Sequence, residues 1–159
     1  VDLKGITDDF YRNMSEATLQ PVLDAIMIMK QNNVFVELTN LVVPTWNDKP
    51  KDIRNLCRWV AQNPGKDTPV HFSRFTPMHK LTNLPPTPVE TLSMAWDIAK
   101  EEGLQFAYVG NVPRHPGNNT YCPNDQKLLL KRIGYTILEN HIIDGKCEFC
   151  QTPIPGIWK

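Results

Sequence analysis

The sequence predicts an α/β fold, with parallel strands alternating with helices and a small zinc-ribbon-like β-hairpin at the end. Three observations carry this. Between residues 1 and 112, short β-rich runs alternate with segments of helical period, the pattern of βαβ units and a parallel sheet. The strand runs sort by period two into an apolar face and a polar one. Three of the four cysteines crowd the last forty residues, as Cys122 and Cys147-Glu148-Phe149-Cys150.

Taken in order, Val1 to Lys4 reads as the end of a strand, and Asp8-Asp9 opens a short helical piece. Leu19, Val22, Leu23, Ile26 and Met29 recur at helical spacing, giving a helix from about 19 to 31 that Asn32-Asn33 ends. Val34 to Val43 is β-rich, and Pro44 stops it. Ile53, Leu56, Cys57 and Val60 mark a helix starting near Pro50, with Asp48 as its expected N-cap. Val70 to Phe75 is the next strand. Thr87 is expected to cap a helix begun by Pro88, which carries Val89, Leu92, Ala95, Trp96 and Ala99 and ends at Gly103. Phe106 to Val109 is the last parallel strand. Beyond a Pro/Gly/Asn-rich stretch, Lys127–Leu130 and Tyr135–Leu138 form a hairpin around Gly134. This divides the chain into 1–112 and a Cys-containing tail, 113–159. Val1 falls within a strand, so we expect the back portion of a longer protein.

Alternation puts Val1, Leu3, Val34, Val36, Leu38, Val42, Val70 and Phe72 on one face. Asp2, Lys4, Glu37, Thr39, His71 and Ser73 share the other with Phe35, Leu41 and Phe75. A polar inner face suits a barrel interior opening onto a ligand at the strand ends. Asp2 and Lys4 lie about 6.6 Å apart along one face at ~3.3 Å per residue. They form either an interior ion pair or a ligand contact. Glu37, Thr39 and His71 are likewise either hydrogen-bonded interior residues or cofactor contacts. Cys57 falls on an apolar helix face and reads as core.

The chain has 159 residues, 41% hydrophobic, with 17 basic and 17 acidic residues. Zero net charge argues against a dedicated nucleic-acid binder. No apolar run approaches the ~20 residues of a membrane span. No nucleophile elbow, P-loop or His-Glu-x-x-His motif is present, which argues against an unrelated hydrolase. The cysteines read as metal ligands in a reducing, cytoplasmic setting, with a Cys147–Cys150 disulfide as the competing reading. Cys122, Cys147 and Cys150 supply three thiolates for zinc, and Asp125, standing where a fourth Cys is expected, can complete the tetrahedron.

The ordered string Asn119-Thr120-Tyr121-Cys122-Pro123, Lys127-Leu128-Leu129, Gly134-Tyr135, Gly145-x-Cys147-x-x-Cys150 and Ile154-Pro155-Gly156-Ile157-Trp158 resembles one family's C-terminus. Upstream, Asp2-Leu3-Lys4-Gly5, Leu41-Val42-Val43-Pro44 with Asn47-Asp48, His71-Phe72, Phe75-x-Pro77 with Lys80, Pro85-Pro86-Thr87-Pro88 and Tyr108-Val109-Gly110-Asn111 continue it. The family is the radical SAM enzyme of the AmmeMemoRadiSam system, related to pyruvate formate-lyase activating enzymes.

The resemblance implies a partial (β/α) barrel. It also implies S-adenosylmethionine cleaved at a [4Fe–4S] cluster to a 5′-deoxyadenosyl radical, a reductant, and an unidentified protein or small-molecule substrate. It places Asp2, Lys4, Glu37, Thr39 and His71 near that cofactor, with no catalytic residue in this chain. The family's Cys-x3-Cys-x2-Cys cluster motif is not among the cysteines here, so the chain alone is expected to be silent. It departs from the family at Asp125-Gln126, where relatives have Cys-Gly, and at Thr76, often His. Removing the first part of a barrel is expected to bare the Val1–Lys4 edge and favour self-association. The alternative is a non-catalytic metal-ribbon module docking to protein or, through Lys127, Lys131 and Arg132, to nucleic acid.

Overall fold

The computed structural model describes residues 1–78 and 81–158; Lys80 lies outside them. Helices α1 (Asp8–Ser15) and α2 (Gln20–Gln31) lead to β1 (Leu38–Val42). Then follow α3 (Pro50–Val60), β2 (Val70–Arg74), α4 (Val89–Glu101) and β3 (Ala107–Gly110). The three strands form a parallel sheet in the order β1-β2-β3. The α/β expectation is borne out, and so is the alternation. Leu3, Leu38, Val42, Val70 and Phe72 are buried with Ile53, Leu56, Val60, Leu92 and Ala95 in one core between the sheet and α2, α3 and α4. Cys57 sits in that core, where burial pushes its thiol up to about 12.

The remaining strands are β4 (Thr120–Tyr121), β5 (Leu128–Ile133), β6 (Thr136–Asn140), β7 (Ile142–Ile143) and β8 (Lys146–Cys147). β4, β5 and β6 form an antiparallel sheet, and β7 pairs with β8. The hairpin turns at Gly134-Tyr135 as expected. A second core joins Cys122, Leu129, Leu130, Ile142, Cys147 and Ile154 to Phe106, the residue leading into β3. No helix among the described residues is long and apolar enough to cross a membrane.

Several local expectations need correction. Residues 34–37 are not strand, because β2 begins opposite Leu38 and leaves them no ladder partner. Val1 and Val34 are exposed rather than packed. Of Val1–Lys4, only Asp2 pairs in register, with Thr39. Asp48 does not cap α3; it accepts from the Thr45 amide inside the preceding turn. Thr87 does not cap α4. Its hydroxyl donates to the Val42 carbonyl at 2.6 Å and accepts from the Phe75 amide at 3.0 Å, tying together the ends of β1 and β2.

The sheet's two edges differ. Along β3, Trp96 Nε1 donates to the Ala107 carbonyl and Asn118 Nδ2 to the Val109 carbonyl. At the other edge, the Lys4 amide donates to Tyr11 Oη and its carbonyl accepts from buried Asn47. The open stretch is therefore shorter than the whole of Val1–Lys4.

Candidate functional site

The register sets one row across the polar face. Asp2 pairs with Thr39, Thr39 with His71, and His71 with Tyr108. Period two sends these side chains to the same side of the sheet. Lys4 Nζ lies 2.5 Å from Asp2 Oδ2, and the Thr39 hydroxyl 3.3 Å from Asp2 Oδ1. Glu37 Oε2 is 2.8 Å from His71 Nε2, and this hydrogen bond holds the Glu37 carboxyl below its ordinary range. All five expected cofactor-contact residues thus fall into one connected set.

The row extends past what the sequence reading named. The His71 and Tyr108 rings stack with centroids 4.9 Å apart. Tyr108 Oη is 3.0 Å from Thr120 Oγ1, which also accepts from Arg132 Nη1 at 2.8 Å. Burial raises the Tyr108 phenol above its ordinary value, keeping it protonated. Strand alternation could have placed Tyr108 here. Arg132 could not be found that way, because it lies on the antiparallel sheet and not on the parallel one that carries the row. In the next row Leu41, Ser73 and Gly110 pair across the strands. A Cβ at Gly110 would come within 2.8 Å of Ser73 Oγ, so that row stays low beside the polar one. Thr76 and Arg74 stand apart from this set; Arg74 Nε donates to the Thr87 carbonyl.

The second candidate site is built from two matching turns. The Cys122 carbonyl accepts from the Gln126 amide, and the Cys122 amide donates to the Lys127 carbonyl. Cys147 makes the same two bonds with Gln151 and Thr152. Gln126 and Gln151 both take left-handed backbone, at φ 58° and 62°. Asp125 is therefore the counterpart of Cys150, each standing fourth in a turn that begins with a cysteine.

One donor atom from each of Cys122, Asp125, Cys147 and Cys150 lies within 4.8 Å of all the others, and Cys122 Sγ is 3.5 Å from Cys150 Sγ. A tetrahedral ion with ~2.3 Å bonds to sulfur needs donor separations of about 3.8 Å. The donor set fits a single tetrahedral ion. Cys122 and Cys147 are buried, and burial pushes the Cys122 thiol up to about 12. Hydrogen bonding with the Thr152 hydroxyl and amide brings Cys150 down to about 7. All four cysteines are free thiols, so the disulfide alternative is not realised.

The basic residues behind the docking alternative are engaged. Lys131 Nζ pairs with Glu139 at 2.5 Å, Lys127 Nζ lies 4.6 Å from the Phe149 ring centroid, and Arg132 is folded against Thr120.

No family model matches the chain. It is 45% identical over 152 residues to an uncharacterized protein of Methanocaldococcus jannaschii. That alignment covers 94% of this chain and 45% of the relative, so the chain spans less than half of that protein's length. Among solved structures it resembles a domain of pyruvate-formate lyase-activating enzyme from Bacteroides vulgatus, with a TM-score of 0.58 and 17% identity. The overlap covers 69% of this chain and 65% of that one. The likeness establishes the fold: an α/β architecture with a parallel sheet, shared with that enzyme domain.

Proposed function

We propose that residues 1–112 form the C-terminal part of a radical SAM barrel of the pyruvate formate-lyase activase type, and that 113–159 form its metal-clipped tail. The observation that carries this reading is the continuous polar row Asp2–Thr39–His71–Tyr108, with the Asp2–Lys4 pair at its end. A buried packing face has no need of such a row. Asp2 can accept from a ribose hydroxyl or balance a sulfonium, and Lys4 can meet a carboxylate. Thr39 and the Glu37–His71 pair hold Asp2 and the floor of the site in place. The low row at Ser73 and Gly110 leaves room for a planar group. These residues fit S-adenosylmethionine, which supplies a hydrogen-abstracting radical when it is reductively cleaved. The substrate would be a protein segment or small molecule reached from the same face.

The thiols of this chain do not fit a [4Fe–4S] cluster. Cys57 is buried against the sheet, and the other three close on one ion with Asp125. A cluster would need ligands from elsewhere, and the M. jannaschii relative is about twice as long. Specific membership of the AmmeMemoRadiSam group, a reductant, a cytoplasmic setting for the reduced thiols, and self-association through the Asp2 edge belong to the same proposal.

Titration of the isotope-labelled chain with S-adenosylmethionine tests the reading. Amide shifts should centre on Asp2, Thr39, His71, Ser73 and Gly110 and vanish in Asp2→Asn. Shifts absent from that face, or unchanged in both Asp2→Asn and Lys4→Ala, would overturn it. Anaerobic reconstitution of this chain alone should release no 5′-deoxyadenosine.

A further inference from the structure

A cleft of about 520 Å³ lies between α4 and the ribbon, away from the polar row's Asp2 end. Trp96, Phe106, Tyr108 and Tyr121 give it aromatic walls, and Lys100 and Gln105 stand among its polar lining. That volume falls in the range of small-molecule pockets, roughly 300–1,000 Å³. Among the described residues its lining includes no carboxylate, and the one charged side chain is Lys100. The Lys100 ammonium sits 3.5 Å from the Trp96 ring centroid and 2.7 Å from Asp97 Oδ1.

The cleft runs along β3, the edge strand of the parallel sheet. The outward carbonyls of Ala107 and Val109 are already taken by Trp96 and Asn118. An extended peptide adding as a fourth strand needs both donors and acceptors from the edge, and here the acceptors are occupied. What the cleft offers is one ammonium, side-chain amides and flat apolar surface. That chemistry suits an occupant with excess acceptors and a planar ring.

We propose that this cleft is a binding site for a planar heteroaromatic anion, the chemistry of a mononucleotide, with its ring against Tyr121 and its anionic group on Lys100. The site meets the face assigned to the sulfonium cofactor only at Tyr108, and the rest of its lining lies off that row. Because Tyr121 precedes Cys122, an occupant would also touch the first metal knuckle's entry strand.

Uridine 5′-monophosphate is a suitable probe, since its base differs from that of the adenosyl cofactor. It should shift the Trp96 indole resonance. Lys100→Gln should weaken binding about tenfold, the worth of one charge-assisted hydrogen bond. Lys100→Arg should restore it, and uridine should bind both variants equally. Gln105→Trp, filling the cleft from its exposed rim, should abolish binding without touching the ammonium. The proposal fails if the indole does not move, if Lys100→Gln binds equally well, if inorganic phosphate binds as tightly as the nucleotide, or if the shifts centre on Asp2 and Thr39.

Discussion

The parallel-sheet layer and the ribbon are held together by different means. The sheet buries one whole face under three helices, and its core contains Leu3, Ile26, Leu38, Phe72 and Leu92 with no accessible surface. The ribbon hairpin leaves Ile133, Tyr135, Ile137 and Leu138 exposed, and its small core includes two of its own cysteines. Burial alone sustains the first layer. The second has little of it, and a metal held by the four-donor group would supply a cross-link between its two turns. The polar residues divide the same way. On the sheet they line a face, whereas in the ribbon they converge on a point.

The largest test of this contrast is Cys147→Ser. Structural zinc in small ribbons is linked to folding by ~10 kcal/mol or more. The substitution should release metal and loosen residues from about 120 to 158 in hydrogen exchange while the sheet stays protected. Metal analysis of gently purified protein comes first. If no metal is found and a chelator leaves the melting curve unmoved, the contrast collapses and packing alone holds the ribbon. Phe72→Ala probes the other side. Removing a fully buried ring should cost about 3–5 kcal/mol and lower the denaturation midpoint of the sheet without altering metal content.

Asp125→Cys should sharpen the difference. A soft thiolate in place of a carboxylate should tighten zinc at least about tenfold and raise the melting temperature. A competition titration against a chromophoric chelator reads this directly. Thr45 offers a smaller effect. It is a β-branched residue at φ 69° in the turn after β1, so Thr45→Gly should stabilise the sheet layer by about 1 kcal/mol in urea unfolding.

The smallest effect concerns pH. Glu37 has a lowered carboxyl value when folded, so its bond to His71 contributes stability above the unfolded value and loses it as pH falls through the folded one. The pair is half-exposed, which limits it to no more than about 1 kcal/mol. Glu37→Gln should flatten the acid limb of the stability curve below about pH 5, and an unchanged limb would remove Glu37 from the linked set.

Where the sequence was legible, a local period did the work. Alternation placed Asp2, Thr39 and His71 together because strand side chains repeat every two residues, and the hairpin turned at Gly134 because left-handed backbone is needed there. Thr87 and Asp48 were misread for one shared reason. A residue before a proline-led helix has the composition of a cap, but its partner is decided by tertiary neighbours: the Val42 carbonyl for Thr87 and the Thr45 amide for Asp48. Asp125 was reached by spacing, and its carboxylate lies close to the three thiols. Its equivalence to Cys150 became visible only through the matched backbone bonds of the two turns. The link from Tyr108 through Thr120 to Arg132 joins separate sheets, and no local pattern encodes it.

The unequal edges of the parallel sheet give it a direction of growth. Trp96 and Asn118 act as end stops, so no strand can lengthen the sheet beyond β3. At the opposite side the peptide group of Asp2 faces outward between the covered Lys4 groups and the first residue. Any further strand, whether from a longer chain or a second copy, must be laid down there. Asp2 and Lys4 would then stop being rim residues and become the seam between two assembled pieces. A half-exposed ion pair would turn into a shielded one, and its attraction would strengthen as water left. The chain therefore carries this ion pair at a border where an added strand would change what those charges can do.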